Sequence, residues 1–175
     1  MALKKITAGL KKRGKKIVFT NGCFDLLHYG HVKYLEDAKR GGDVLVVAVN
    51  SDRSVKKLKG KMRPIINEIF RQSVLASLDS VDYVTMFSEE TPLKVIKTIK
   101  PDVLVKGADW RKNAIVGADF VKSYGGKVKT IKLVKGLSTT MLIKKCGITS
   151  RKIQSTGSST PTLTAPKRAC ASAKK

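Results

Sequence analysis

The chain has 175 residues, 42% of them hydrophobic, and carries 36 Lys and Arg against 13 Asp and Glu, a formal charge of +23. That length suits one domain with a real core. No apolar run approaches the roughly 18 residues of a membrane span and no signal-peptide core follows the basic start, so a soluble, cytoplasmic protein without a membrane partner is expected. Cys23, Cys146 and Cys170 are too few and too scattered for a disulfide framework.

The charge is unevenly spread. Residues 1–16 hold seven Lys or Arg and residues 151–175 hold six, neither stretch with an acid, which leaves +10 on the middle of the chain. A middle that basic suits polyanionic ligands. It shows no zinc-finger spacing and no aromatic RNA-reading signature, so no specific nucleic-acid partner is expected.

Residues 1–15 are predicted as a basic amphipathic helix with Leu3, Ile6 and Leu10 on one side, packed on a sheet edge. A strand over Lys16 to Thr20 leads into a turn, and a helix from Gly30 to Arg40 buries Val32, Leu35 and Ala38 before stopping at Gly41-Gly42. In Asp43 to Asn50, six consecutive apolar residues rich in valine mark a strand covered on both faces, the signature of a parallel sheet. Residues 51–66 are polar, basic and broken by Gly60 and Pro64, and are predicted as a loop.

A helix over Asn67 to Ser80 is expected to turn Ile69, Val74, Leu75 and Leu78 inward. Tyr83 to Phe87 forms the third strand, and Thr91-Pro92-Leu93 opens a helix with Thr91 as cap. Asp102 to Lys106 forms the fourth strand, Asn113 to Tyr124 a helix, and Lys127 to Leu133 the fifth strand. A last helix begins near Gly136 with Ser138, Thr139 and Thr140 as a cap cluster. Residues 149–175 are Ser, Thr, Pro and Lys rich and are expected to be disordered. The fold class that follows is α/β, a doubly wound five-stranded parallel sheet in a single domain over residues 16–148.

The stretch Thr20-Asn21-Gly22-Cys23-Phe24-Asp25-Leu26-Leu27-His28-Tyr29-Gly30-His31 lies between the first strand and the first crossover helix. Unpaired helix N–H groups and the helix dipole make that junction a phosphate site. His28 and His31 are the only histidines and lie three residues apart, over one patch at the helix mouth. Two such donors suit phosphoryl or nucleotidyl transfer, where negative charge grows on oxygen in the transition state. No Cys, Asp or Glu completes a metal-ligand spacing with them, so no protein metal site is expected. The lone Trp110 follows the fourth strand and either stacks on a base or caps the core.

The His28-Tyr29-Gly30-His31 motif resembles the HxGH signature of the nucleotidyltransferase superfamily that includes glycerol-3-phosphate cytidylyltransferase. Further blocks resemble more narrowly the D-glycero-β-D-manno-heptose 1-phosphate adenylyltransferases, which make ADP-heptose for lipopolysaccharide cores. These blocks are Val49-Asn50-Ser51-Asp52, Leu58-Lys59-Gly60 with Arg63-Pro64-Ile65, Val81-Asp82-Tyr83-Val84, Pro101 to Trp110, Ile115 to Asp119, and Gly136 to Thr140. The resemblance covers about Lys15 to Lys145 and is to the stand-alone transferase; Leu133 stands where the cytidylyltransferases have an arginine.

The resemblance implies a Rossmann-like nucleotidyltransferase fold and transfer of AMP from ATP, with Mg²⁺, to a sugar 1-phosphate. It assigns His28, His31 and Lys59 to catalysis. Cys23, Phe24, Gly30, Asp109, Trp110, Ser138, Thr139 and Thr140 would bind the nucleotide, and Asn21, Asp25, Asp52, Arg63 and Arg71 the acceptor. Asp25 equally suits a structural turn. Arg71 equally suits a structural salt bridge, since Ile66 to Phe70 depart from the family's usual Asn-Pro-Leu-Glu-Asp. A homodimer is implied as well. Cytidylyl transfer to glycerol 3-phosphate, and a basic nucleic-acid-binding or scaffold protein on the same fold, are the competing readings.

Overall fold

The computed structural model describes residues 2–110 and 114–147. The expected disorder over 149–175 and the expected helix start at Asn113 lie outside the described residues.

Strands β1 (Ile17–Gly22), β2 (Val44–Asn50), β3 (Tyr83–Phe87), β4 (Val103–Gly107) and β5 (Lys127–Ile131) form one sheet in the order β3-β2-β1-β4-β5, parallel at every pairing. Helices α1 (Ala2–Lys12), α2 (Tyr29–Lys39), α3 (Asp52–Lys59), α4 (Glu68–Ala76), α5 (Leu93–Ile99), α6 (Ala118–Ser123) and α7 (Thr139–Lys145) complete the elements. Every residue of β2 is buried, as its unbroken apolar run requires. Its side chains alternate between two cores. Val44, Val46 and Ala48 join Ile17, Phe19 and Leu104 on one face, under Leu10 of α1, Ile96 and Ile99 of α5 and Val121 of α6. Leu45, Val47 and Val49 join Val18, Val103 and Val105 on the other, under Tyr34, Leu35 and Ala38 of α2 and Leu75 of α4. Helices on both faces make the sheet doubly wound, and the strand order reverses direction between β1 and β4.

Several elements differ from their predicted form. Helix α1 packs beside α5 over the face of the sheet, with Leu10 in the core, and not on its edge. The predicted loop over 51–66 begins with α3, which the sequence conceals because only Val55 among its apolar residues is buried while Leu58 is exposed. Ser51 caps α3 by accepting from the Ser54 N–H, and Lys56, Lys57 and Lys59 in the last turn complement its dipole.

Helix α4 turns a different stripe inward than predicted. Arg71 and Leu75, four residues apart, are buried, whereas Ile69 and Val74 are 55% and 47% exposed. In α2, Leu35 and Ala38 are buried as predicted and Tyr34 joins them, whereas Val32 is only half-buried. Pro92, not Thr91, occupies the cap position of α5. Helix α6 starts only at Ala118, because Gly117 adopts a left-handed φ of 85° and a side chain there would strike Ile96 at 2.8 Å. Strand β5 ends at Ile131, short of Leu133.

Candidate functional site

The β1–β2 ladder runs the full length of β1, from Ile17–Val44 to Gly22–Val49. The β1–β4 ladder is registered only at Val18–Val103 and Phe19–Leu104. The two strands therefore part toward their C-terminal ends, and a crevice opens at the point where the strand order reverses. Open α/β sheets bind ligands at this place.

His28 is the cap residue of α2, extended at φ −144° and making no side-chain cap bond, so its imidazole is free to lie over the helix mouth. It stacks on His31 with ring centroids 3.9 Å apart and 26° between planes, and Phe24 meets His31 edge-on at 5.4 Å. The left-handed φ of 45° at Phe24 tucks its ring, 7% exposed, beneath the pair. Gly30 is required by this arrangement: a Cβ there would lie 3.0 Å from Cε1 and 3.1 Å from Nδ1 of His28.

The Nδ1 atoms of both histidines are buried without a hydrogen-bond partner. Burial lowers the pKa of each, and for His31 burial together with its neighbour His28 pushes it down to about 4, against a small opposing pull from the Leu26 carbonyl. At neutral pH, His31 is therefore a neutral imidazole. Below pH 6.5 the unfolded chain takes up a proton that folded His31 refuses, so stability is lost as the pH falls from 6.5 toward 4, by on the order of 2–3 kcal/mol. Denaturant unfolding at pH 7 and pH 4.5 should show this loss, and His31→Gln should remove most of it.

The remaining predicted residues divide into two sets. Ser138 caps α7 by accepting from the Met141 N–H at 3.1 Å, and Thr139 donates to the Leu26 carbonyl at 3.4 Å, which ties α7 to the histidine loop. Leu137 sits 3.7 Å from the space above Gly30, and Thr140 is exposed beside it. Asp109 and the 48% exposed Trp110 follow β4 on the other side of the crevice, so Trp110 does not cap the core. Exposed Lys59 ends α3, near enough to Cys23 to oppose the burial that raises the pKa of that thiol.

The other set holds the loops. Asp25, 3% exposed, accepts from the Arg63 Nε and from the backbone N–H groups of Ile65 at 2.7 Å and Ile66 at 2.9 Å. Both carboxylate oxygens are thus engaged within the protein, in the structural role open to it from sequence. Arg71, with a fully buried side chain, donates to the carbonyls of Cys23, Asn50 at 2.8 Å and Ile66 at 2.9 Å and to Asp52 Oδ1 at 2.7 Å. Through these contacts Asp25, Asp52 and Arg71 hold together the loops that surround the crevice, the structural role that the sequence left open for Asp25 and Arg71. Asn21 keeps a buried, unpartnered Oδ1.

Lys106 was not among the predicted site residues. Its ammonium donates to the Asn21 carbonyl at 3.2 Å and lies 5.5 Å from the centre of the Trp110 ring. Its one legible signal is a charge at the end of an otherwise apolar strand, just before a glycine. Among the described residues, no group of three His, Cys, Asp or Glu converges as a metal site.

A parallel, doubly wound sheet with a stacked histidine pair at its switch point defines a nucleotidyltransferase domain of the Rossmann-like type. A family model described as cytidylyltransferase-like matches residues 19–156, and the chain belongs to that family.

Among curated relatives, the bifunctional protein HldE of Geobacter metallireducens is 60% identical over 135 residues, 77% of this chain and 28% of that protein. The bifunctional protein HldE of Gluconobacter oxydans is 56% identical over 140 residues, 80% of this chain and 29% of that protein. The chain thus spans less than a third of the length of these relatives. A lipopolysaccharide core biosynthesis protein of Thermoplasma volcanium superposes with a TM-score of 0.56 at 32% identity, over 69% of this chain and 98% of that one. A pantoate-beta-alanine ligase of Francisella tularensis, at TM-score 0.55 and 19% identity over 83% and 74% of the two chains, shares the fold.

Proposed function

We propose that the protein transfers AMP from ATP to the phosphate of D-glycero-β-D-manno-heptose 1-phosphate, giving ADP-heptose and pyrophosphate. The observation that carries the reading is the pair of stacked, neutral histidines at the mouth of α2. A triphosphate laid across that mouth meets the α2 backbone N–H groups and both imidazoles. An oxygen of the sugar phosphate attacks the α-phosphorus in line. The new P–O bond forms as the bond from the α-phosphorus to the bridging oxygen breaks, and the electron pair leaves on pyrophosphate. The histidines stabilise charge on the α- and β-phosphates as the five-coordinate state forms. Ser138, Thr139 and Thr140 hold the outer phosphates, and Lys59 and Arg63 approach from the α3 side. Mg²⁺ carried by the nucleotide would supply positive charge against the phosphates, with the histidines and the Ser138–Thr140 helix mouth holding the nucleotide itself.

The heptose acceptor is supported by the motif blocks of the sequence and by the likeness to a protein named for lipopolysaccharide core biosynthesis. Cytidylyl transfer to glycerol 3-phosphate is favoured only by the name of the matching family. Pyrophosphate release with Mg²⁺, measured for ATP and CTP each with heptose 1-phosphate and glycerol 3-phosphate, separates them. Turnover confined to ATP with the heptose is the expected result; turnover with CTP and glycerol 3-phosphate instead would overturn this reading.

A further inference from the structure

The split between β1 and β4 contains one cation that the mechanism above does not use. Past Phe19 and Leu104 the two strands no longer pair, and the Lys106 side chain reaches across the opening to the Asn21 carbonyl. Among the described residues that carbonyl is the only oxygen within hydrogen-bonding distance of an ammonium that carries three N–H donors. The Trp110 ring covers one side, and the unpartnered Asn21 Oδ1 belongs to the same residue that receives the Lys106 bond. A partly desolvated ammonium with spare donors is costly unless an anion meets it. The crevice where it sits is the place a phosphate substrate would enter.

We propose that Lys106 is a substrate-contacting residue that binds a phosphate oxygen of the donor nucleotide or of the acceptor. This rests on the transferase reading above. The ammonium and the two histidines would hold the reacting phosphates from opposite sides of the switch point, the histidines from α2 and Lys106 from β4. The titratable groups facing Lys106 are Cys23 from the loop after β1, whose burial-raised pKa keeps it a neutral thiol near pH 8, and Asp109 from the loop after β4, which favours the charged form of Lys106. Burial outweighs Asp109 and pushes the Lys106 pKa down to about 8. An anion that binds the protonated ammonium should therefore bind with constant affinity below pH 8 and lose about tenfold per pH unit above it.

The test is calorimetric titration of Mg·ATP and, separately, of heptose 1-phosphate, from pH 7 to 9.5, on the wild-type chain, Lys106→Met and Lys106→Arg. The ligand that Lys106 holds should bind Lys106→Met roughly 10- to 100-fold more weakly at pH 7, the scale of one charge-assisted hydrogen bond, with no alkaline decline. Lys106→Arg should keep most of the affinity at pH 7 and also lose the alkaline decline, because arginine stays charged. Loss with ATP identifies the donor's phosphate, and loss with the sugar phosphate the acceptor's. Thermal melting at pH 7 should find Lys106→Met no less stable than wild type, since a thioether replaces a desolvated charge; if it does not fold, Lys106→Arg alone decides through its pH profile. The proposal is overturned if Lys106→Met binds both ligands as wild type does, or if the variants keep the alkaline decline. Pyrophosphate release at the wild-type rate in Lys106→Met would then leave the transferase reading standing. Wild-type protein that binds neither ligand overturns both.

Discussion

Replacing His31 with alanine should lower kcat for nucleotidyl transfer by about 10²- to 10³-fold, the usual scale for one preorganised oxyanion donor, and His28→Ala should do the same. Each ring is held in place before substrate arrives, His31 by the Phe24 edge and by stacking on His28, and His28 by the space that Gly30 leaves for it. Truncation removes each ring's packing on its neighbour as well as its interaction with substrate, so a folding check accompanies the kinetics. The effect should fall mainly on kcat, because the histidines meet more charge in the transition state than in the bound triphosphate. The double variant should lose far less than the product of the two single losses, since the rings position each other. Steady-state pyrophosphate release, with circular dichroism as the check on folding, measures all three. Turnover within about threefold of wild type in His28→Ala would falsify the role assigned to the pair.

Arg71→Met should destabilise the protein by about 3–5 kcal/mol, the largest single effect on stability expected in the chain. The guanidinium is fully buried and joins the loop after β1 at Cys23, the end of β2 at Asn50, the start of α3 at Asp52 and the loop before α4 at Ile66. A methionine fills the space but leaves three carbonyls without their donor and the Asp52 carboxylate without its countercharge. Arg71→Lys should recover little, because one ammonium cannot match a planar fork directed at four acceptors. Urea unfolding at pH 7 reads the loss. Wild-type stability together with abolished turnover would instead return Arg71 to the substrate side of the site.

The strands were legible where physics acts over short distances along the chain. The apolar run Val44 to Val49 requires cover on both faces wherever it is placed, so a parallel sheet follows from composition alone. His28, Gly30 and His31 at a strand-to-helix junction announce an anion site for the same local reason. Helix α3 escaped detection because its stability comes from the Ser51 cap, lysines at its C-terminal end and one buried Val55, none of which makes an apolar period.

Side-chain roles depended on partners distant in sequence. Asp25 meets Arg63 from 38 residues away, and Arg71 meets the Cys23 carbonyl from 48. Nothing in the sequence around either residue separates a loop clamp from a ligand contact. Lys106 is the same case, since its charge is visible in the sequence while the neighbours that desolvate it are not. The sequence by itself determined the five-stranded parallel sheet and the histidine junction, because strand burial and helix-end electrostatics are local, while the order β3-β2-β1-β4-β5 came from the tertiary structure. Only the tertiary structure decided which charged groups are consumed within the protein and which face the crevice, because that division depends on loops meeting across the C-terminal edge of the sheet.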